Sequence, residues 1–190
     1  MKAIWQMWES ELSDEKINQI IQECELYKPH EAQTGLGADG QVNSHIRRSI
    51  VRWIDPLDEG SKFISNLLYY YANQANRYAF GVDISDIYDI QYTIYDGKDD
   101  GHYDWHFDTF WGNASTFDRK LSITIQLSDS NDYEGGDFIL DPQYDPPSAK
   151  SLRQKGTILV FPSPIRHKVT NVKKGVRKSL VAWVEGPKWK

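Results

Sequence analysis

The period of the apolar positions changes once along this chain, near residue 80. Before that point apolar side chains recur every three to four residues. Ile17, Ile20, Ile21 and Cys24 mark one helical face. Ser13 stands before them as an N-cap, with Asp14 and Glu15 in the first turn, where the helix dipole favours negative charge. Leu12 and Ile17 have the spacing of a hydrophobic staple, and Pro29 ends the run. Phe63, Leu67, Tyr71, Ala75 and Tyr78 repeat the pattern and predict a second helix over 58–79. Between the two, residues 31–44 carry Gly35, Gly37 and Gly40 and read as a loop. Ile46 to Ile54 reads as a short extended piece broken by Asp55-Pro56.

From residue 87 the period is two. Tyr88, Ile90, Tyr92 and Ile94 alternate with Asp89, Gln91, Thr93 and Tyr95. Leu121, Ile123, Ile125 and Leu127 alternate with Lys120, Ser122, Thr124 and Gln126. Shorter runs lie at 138–140, 157–161, 168–171 and 179–184. Turn signals separate them: Asp96-Gly97, Glu134-Gly135-Gly136, Asp141-Pro142, Pro162–Pro164 and Lys174-Gly175. Short strands punctuated in this way predict a sandwich or barrel. Helices first and strands afterwards predict an α+β chain. No composition shift marks a linker, so residues 1–190 read as one domain, with a helical part over about 1–80 and a β core over about 87–185.

Composition narrows the class. Aromatic residues make up 13% of the 190 positions, which is enough for a real core and too much for a disordered chain. With 22 Lys+Arg against 27 Asp+Glu the net charge is −5, which argues against broad nucleic-acid binding. No apolar run approaches the ~20 residues of a membrane span, and the first residues lack a signal-peptide pattern. Cys24 is the single cysteine. It rules out an intramolecular disulfide and a thiolate-rich metal site, and points to a reducing, cytoplasmic setting.

Two of the five histidines have unusual neighbours. His106-Phe107-Asp108 places an imidazole and a carboxylate at i and i+2, the same face of an extended strand. His167 follows two strands later. Two histidines and one carboxylate make the facial triad of non-haem Fe(II) oxygenases. A His-x-Asp tripeptide also arises by chance, and a histidine at a strand start also serves as a hydrogen-bonded surface residue. Arg177, on the next strand, offers a planar fork for the free carboxylate of a chelating dicarboxylate, and Ser179 faces the same way. Its alternative is a solvated charge in a basic cluster with Lys173, Lys174 and Lys178.

In this order the segments resemble the Fe(II)- and 2-oxoglutarate-dependent dioxygenases of the prolyl 4-hydroxylase-like group, including the bacterial and phage PKHD-type hydroxylases. The resemblance runs from about Arg47 to Trp183. It is carried by Ile46-Arg47-Arg48-Ser49, by Tyr95-Asp96-Gly97 through His106-Phe107-Asp108, and by Tyr133-Glu134-Gly135-Gly136-Asp137-Phe138. Gly156 to His167 and Arg177 to Trp183 complete it. It implies a double-stranded β-helix, or jelly roll, with N-terminal helices packed on one outer face. It implies iron on His106, Asp108 and His167, 2-oxoglutarate held by Arg177, and Tyr95 and Tyr103 lining the pocket. It implies a reaction consuming O₂, with ascorbate as reductant, that yields succinate and CO₂ and hydroxylates a prolyl residue of a protein or peptide. A free amino acid or small metabolite as substrate, and a non-catalytic jelly-roll binding module, are the alternatives. A closed structural zinc site fits three ligands poorly. Lys98-Asp99-Asp100 are extra residues between Tyr95 and His106 relative to the compact family pattern.

Arg119, at the start of a core strand, and Trp111, just after the His-x-Asp motif, are the candidate substrate residues. Each has a packing or surface alternative. The glycine-rich stretch over 35–43 reads as a lid or as a tolerated loop.

Overall fold

The computed structural model describes residues 4–34, 41–109 and 115–189. Two antiparallel sheets enclose a cavity. In the larger the order is β1 (Gln6–Trp8), β10 (Ile158–Pro162), β7 (Phe117–Gln126), β12 (Val172–Pro187), β5 (Ile87–Asp96), β4 (Ile50–Ile54) and β2 (His30–Glu31). In the smaller it is β3 (Arg47–Arg48), β6 (His102–His106), β11 (His167–Val169) and β9 (Phe138–Leu140). β8 (Tyr133–Gly135) pairs with the start of β12. This is the double-stranded β-helix, or jelly roll.

The outer face of the larger sheet carries two helices, α1 (Asp14–Glu25) and α2 (Lys62–Ala75). Ile17, Ile20 and Cys24 of α1 and Ile64, Leu68 and Tyr71 of α2 join Ile90, Ile123, Ile125 and Leu180 of the sheet in one buried core. Ser13 caps α1 by accepting the Lys16 N–H at 3.2 Å. The inner face of the same sheet presents Gln91, Thr93, Tyr95, Ser122, Thr124, Arg177 and Ser179 to the cavity. The strict alternation of β7 therefore does not separate core from solvent. Ser122 is 1% exposed and Ile123 0%; the polar side faces the other sheet.

Several expectations shift for local reasons. α2 starts at Lys62 and not near residue 58, because Asp55 and Asp58 turn the chain first. Their carboxylates accept the N–H groups of Leu57 (2.9 Å) and Gly60 (3.2 Å). Tyr78 lies on the surface. The helix widens into a π turn over Asn76–Phe80, stopped by Gly81 at φ 62°, and Ala79 and Phe80 take the buried positions. Tyr88 is also exposed, because β5 bulges there: Trp183 faces Asp89 and Val184 faces Ile87, which puts Ile87 in the core. The piece from Ile46 to Ile54 divides between the sheets, β3 going to the smaller and β4 to the larger. The first eighty residues thus supply four strands besides the helices.

Glu134-Gly135 belongs to β8, and Lys174-Gly175 lies within β12. Gly175 bends that strand at φ 71°, and a Cβ there would sit 1.9 Å from the Asp132 carbonyl oxygen. Just before it, β8 and its following turn are held by Arg153, which ends the short helix α3 (Ala149–Leu152). Arg153 donates through Nη1 to Gly135 O (2.6 Å) and Asp137 Oδ1 (2.9 Å). Through Nη2 it donates to Tyr133 O (2.9 Å) and Ser130 O (3.1 Å). Of the glycine-rich stretch, residues 35–40 lie outside the described residues; Thr34 and Gln41 on either side exchange backbone hydrogen bonds of 2.8 and 2.9 Å. Among the described residues no helix is long and apolar enough to cross a membrane.

Candidate active site

The smaller sheet brings the two histidines face to face. His106 ends β6 and His167 begins β11, and the two are directly paired across the ladder with ring centroids 4.2 Å apart. The chain leaves β6 so that Asp108 N–H donates to Ser163 O at 3.0 Å, which turns the carboxylate inward. Each imidazole is oriented from behind. His106 Nδ1–H donates to Asp104 O (2.7 Å) and His167 Nδ1–H to Ile165 O (3.0 Å), so both rings turn Nε2 toward Asp108.

These Nε2 atoms lie 3.7 Å (His106) and 3.4 Å (His167) from the Asp108 carboxylate oxygens. Both distances are too long for hydrogen bonds. One ligand atom from each of the three residues lies within 4.8 Å of the others. Neighbouring ligands held at ~2.1 Å in octahedral geometry sit roughly 3 Å apart, so the spacing suits one shared ion. Two imidazole nitrogens and one carboxylate, open on the cavity side, are a donor set suited to ferrous iron.

Electrostatics favour the ligand forms. Burial, and then the neighbouring His167, push the His106 imidazolium down to about 3. Burial opposes ionisation of Asp108. The facing His167 and His106, with the hydroxyl of Ser122, outweigh it and hold the carboxyl below its ordinary range. Tyr103 lies flat against His106, centroids 3.5 Å apart and planes 11° apart, and the Arg47 guanidinium sits 4.4 Å from the Tyr103 ring centre. Burial pushes the Tyr103 phenol up to about 12, so it remains a neutral donor.

The cavity measures about 850 Å³. Arg177 lies on its wall, opposite Tyr95 in the β12–β5 ladder, 3% exposed. Its Nη1 donates to Ser179 Oγ at 3.3 Å, and its guanidinium is 5.6 Å from the Tyr95 ring. Among the described residues no carboxylate pairs with it. Arg177 is therefore not part of a surface cluster with Lys173 and Lys174. The extra Lys98-Asp99-Asp100 bulge out as a 3₁₀ turn tied by Asn171 Nδ2 to Asp100 Oδ2 (2.7 Å), which leaves Tyr95 on the wall. Arg119 also reaches the cavity. It donates to Asp89 Oδ2 at 2.7 Å and stacks 3.9 Å from the Trp183 ring. Trp111 lies outside the described residues.

Sequence reasoning missed Arg47, Gln91, Thr93 and Ser122 as lining residues. Arg47 Nη2 donates to Gln91 Oε1 (2.6 Å), which also accepts from Thr93 Oγ1 (3.1 Å). For Gln91, Thr93 and Ser122 the signal was present, since they are polar members of the alternating strands β5 and β7; Arg47, on the two-residue β3, had no such pattern. Only the second sheet makes that side an interior.

The family model for the 2OG-Fe(II) oxygenase superfamily matches residues 90–185, and the chain belongs to that superfamily. Its cofactors are Fe(II), 2-oxoglutarate and O₂. Among curated relatives, a PKHD-type hydroxylase of Synechococcus sp. (strain CC9311) is 40% identical over 86 residues, 45% of this chain and 37% of that one. Another, of Crocosphaera subtropica, is 28% identical over 150 residues, 77% of this chain and 66% of that one. These matches thus span less than two thirds of the relatives' own lengths. A Pseudomonas putida prolyl-4-hydroxylase superposes with a TM-score of 0.71 at 18% identity, covering 98% of this chain and 94% of that chain. A Trichoplax adhaerens prolyl hydroxylase, solved with a hypoxia inducible factor peptide fragment, gives 0.74 at 18%, covering 95% and 83%. At these identities the likeness is one of fold.

Proposed function

We propose that residues 1–190 form one Fe(II)- and 2-oxoglutarate-dependent hydroxylase domain acting on a prolyl residue of a protein or peptide. The observation that carries this reading is one cavity with three metal-type donors on one wall and a buried, carboxylate-free arginine on another. His106, Asp108 and His167 would hold the iron, and Arg177 with Ser179 would take the far carboxylate of 2-oxoglutarate. When bound, the iron supplies the oxidative chemistry that couples decarboxylation to hydroxylation. The protein's part is to orient both substrates and exclude water. Tyr103 and Tyr95 flank the cosubstrate region, Tyr103 as a neutral phenol.

The mouth favours a peptide over a small metabolite. Trp53, Phe107 and Phe117 line the cavity and yet are 45%, 47% and 42% exposed. An exposed apolar rim of this kind suits a chain longer than the cavity. Arg119 and Trp183 at the same end would meet it, and Trp111 follows the motif closely in sequence. The PKHD-type relatives and the prolyl hydroxylase fold support proline as the target, and a single buried cysteine suits the cytoplasm.

The test is succinate formation from 2-oxoglutarate with Fe(II), O₂ and ascorbate, with and without a panel of proline-containing peptides. Metal-dependent succinate stimulated by a peptide, with a mass gain of one oxygen on proline, is expected. His106→Ala and Asp108→Ala should abolish it. Stimulation by a free amino acid but by no peptide would replace the substrate reading. No succinate from folded, metal-loaded protein would overturn the activity.

A further inference from the structure

Asp108 is held by a part of the molecule that the cofactor chemistry does not require. Ser122 Oγ lies 2.6 Å from Asp108 Oδ2, and Ser163 Oγ lies 3.0 Å from Ser122 Oγ. Both serines are buried, at 1% and 0% exposure. An ionised carboxylate only accepts, so the Ser122 proton points at Asp108. That commits the one proton of Ser122, and the proton between the two hydroxyls must come from Ser163. The contacts form a directed chain, Ser163 to Ser122 to Asp108, in which each donor polarises the next.

The backbone of Ser163 ties the same place together. Its N–H donates to Lys120 O and its carbonyl accepts from Asp108 N–H, both at 3.0 Å. Ser163 sits in the β10–β11 connection that leads to His167, and Ser122 is on β7. The pair therefore links the segments that carry Asp108 and His167 to the larger sheet.

We propose that Ser122 and Ser163 are positioning residues of the metal centre. Resting on the reading of His106, Asp108 and His167 as metal ligands, they would occupy one oxygen of Asp108 and present the other, so that the carboxylate binds through a single atom. Outer-shell partners of this kind change metal affinity by roughly 10–100-fold.

Apoprotein titrated with Mn(II), with free ion read by electron paramagnetic resonance, tests this without turnover. Wild type should bind one ion, and His106→Ala should not. Ser122→Ala should bind roughly 10–100-fold more weakly, with the apoprotein melting temperature as the folding control. Ser122→Thr restores a hydroxyl and should recover affinity. Ser163→Ala should have a smaller effect, absent in a Ser122→Ala background because Ser163 acts only through Ser122. The visible d–d spectrum of the Co(II)-loaded protein should change in Ser122→Ala and return in Ser122→Thr. A Ser122→Ala protein that binds Mn(II) within twofold of wild type, with an unchanged Co(II) spectrum, would overturn the proposal. Wild type that binds no ion would overturn the triad reading beneath it.

Discussion

Replacing Arg177 by methionine should weaken 2-oxoglutarate binding without weakening the fold. Arg177 is 3% exposed, and among the described residues its side-chain hydrogen bond goes to a neutral hydroxyl, Ser179 Oγ. A buried cation without a carboxylate partner costs stability in the empty protein. Methionine replaces the aliphatic stem of the side chain, so little apolar packing is lost. The apoprotein should melt at the same temperature or a few degrees higher, since about 1 kcal/mol corresponds to roughly 2–4 °C for a domain of this size. The bound state behaves oppositely. Two charge-assisted hydrogen bonds to a carboxylate contribute about 1.5–3 kcal/mol each. A combined loss of ~3–6 kcal/mol is roughly a 10²–10⁴-fold rise in Kd. Arg177→Lys, which keeps the charge and loses the fork, should fall between. Calorimetric titration of the Mn(II)-loaded protein with 2-oxoglutarate, alongside thermal melts of the apoprotein, measures both sides. A Kd within about fivefold of wild type, or a large drop in melting temperature, would refute the assignment of Arg177 to the cosubstrate.

Three further outcomes test the fold around the site. Arg153→Met removes four hydrogen bonds, three of them to backbone carbonyls. It should cost about 2–4 kcal/mol, measured by urea denaturation. Gly175→Ala combines φ 71° with a Cβ 1.9 Å from Asp132 O, and should destabilise by at least ~2 kcal/mol by the same assay. Burial, then Glu23 and Glu25, push the Cys24 thiol up to about 12. The native protein at pH 8 should therefore resist Ellman's reagent and react with one equivalent only when unfolded in guanidinium.

The elements that sequence reading predicted best are those whose reasons are local. The Ser13 cap, the α1 stripe and the alternation of β5 and β7 depend on neighbours within a few residues. The clustering of His106, Asp108 and His167 was also legible, because i and i+2 on a strand share a face and His167 sits at the head of another. What escaped depends on the second sheet. Whether Ser122 and Gln91 look outward or into a cavity is set by strands distant in sequence. Arg177 stands between the two. Its place on the strand after His167 marked it as a candidate, Lys173 and Lys174 beside it left a surface charge open, and the bend at Gly175 and the register opposite Tyr95 carry it inside. Likewise β1, three residues long, has no period to recognise, and pairs with β10 about 150 residues later.

The place of β12 sets the order in which this molecule can be made. Val172–Pro187 lies between β5 and β7, bonded to both, while the chain runs through both of those strands first. A ribosome that has released residues up to 170 has exposed Arg177's future neighbours, the two helices and every other strand, but the larger sheet still has a gap at its middle. β5 and β7 then each present an open edge beside apolar side chains that later join one core, the condition under which chains associate with one another. Closure waits for one long, late strand, and most of its contacts are distant in sequence, which makes folding slow. The segment bearing Arg177 is thus also the one that completes the sheet, so a nascent chain gains the buried cation of its cavity and its finished core in the same step.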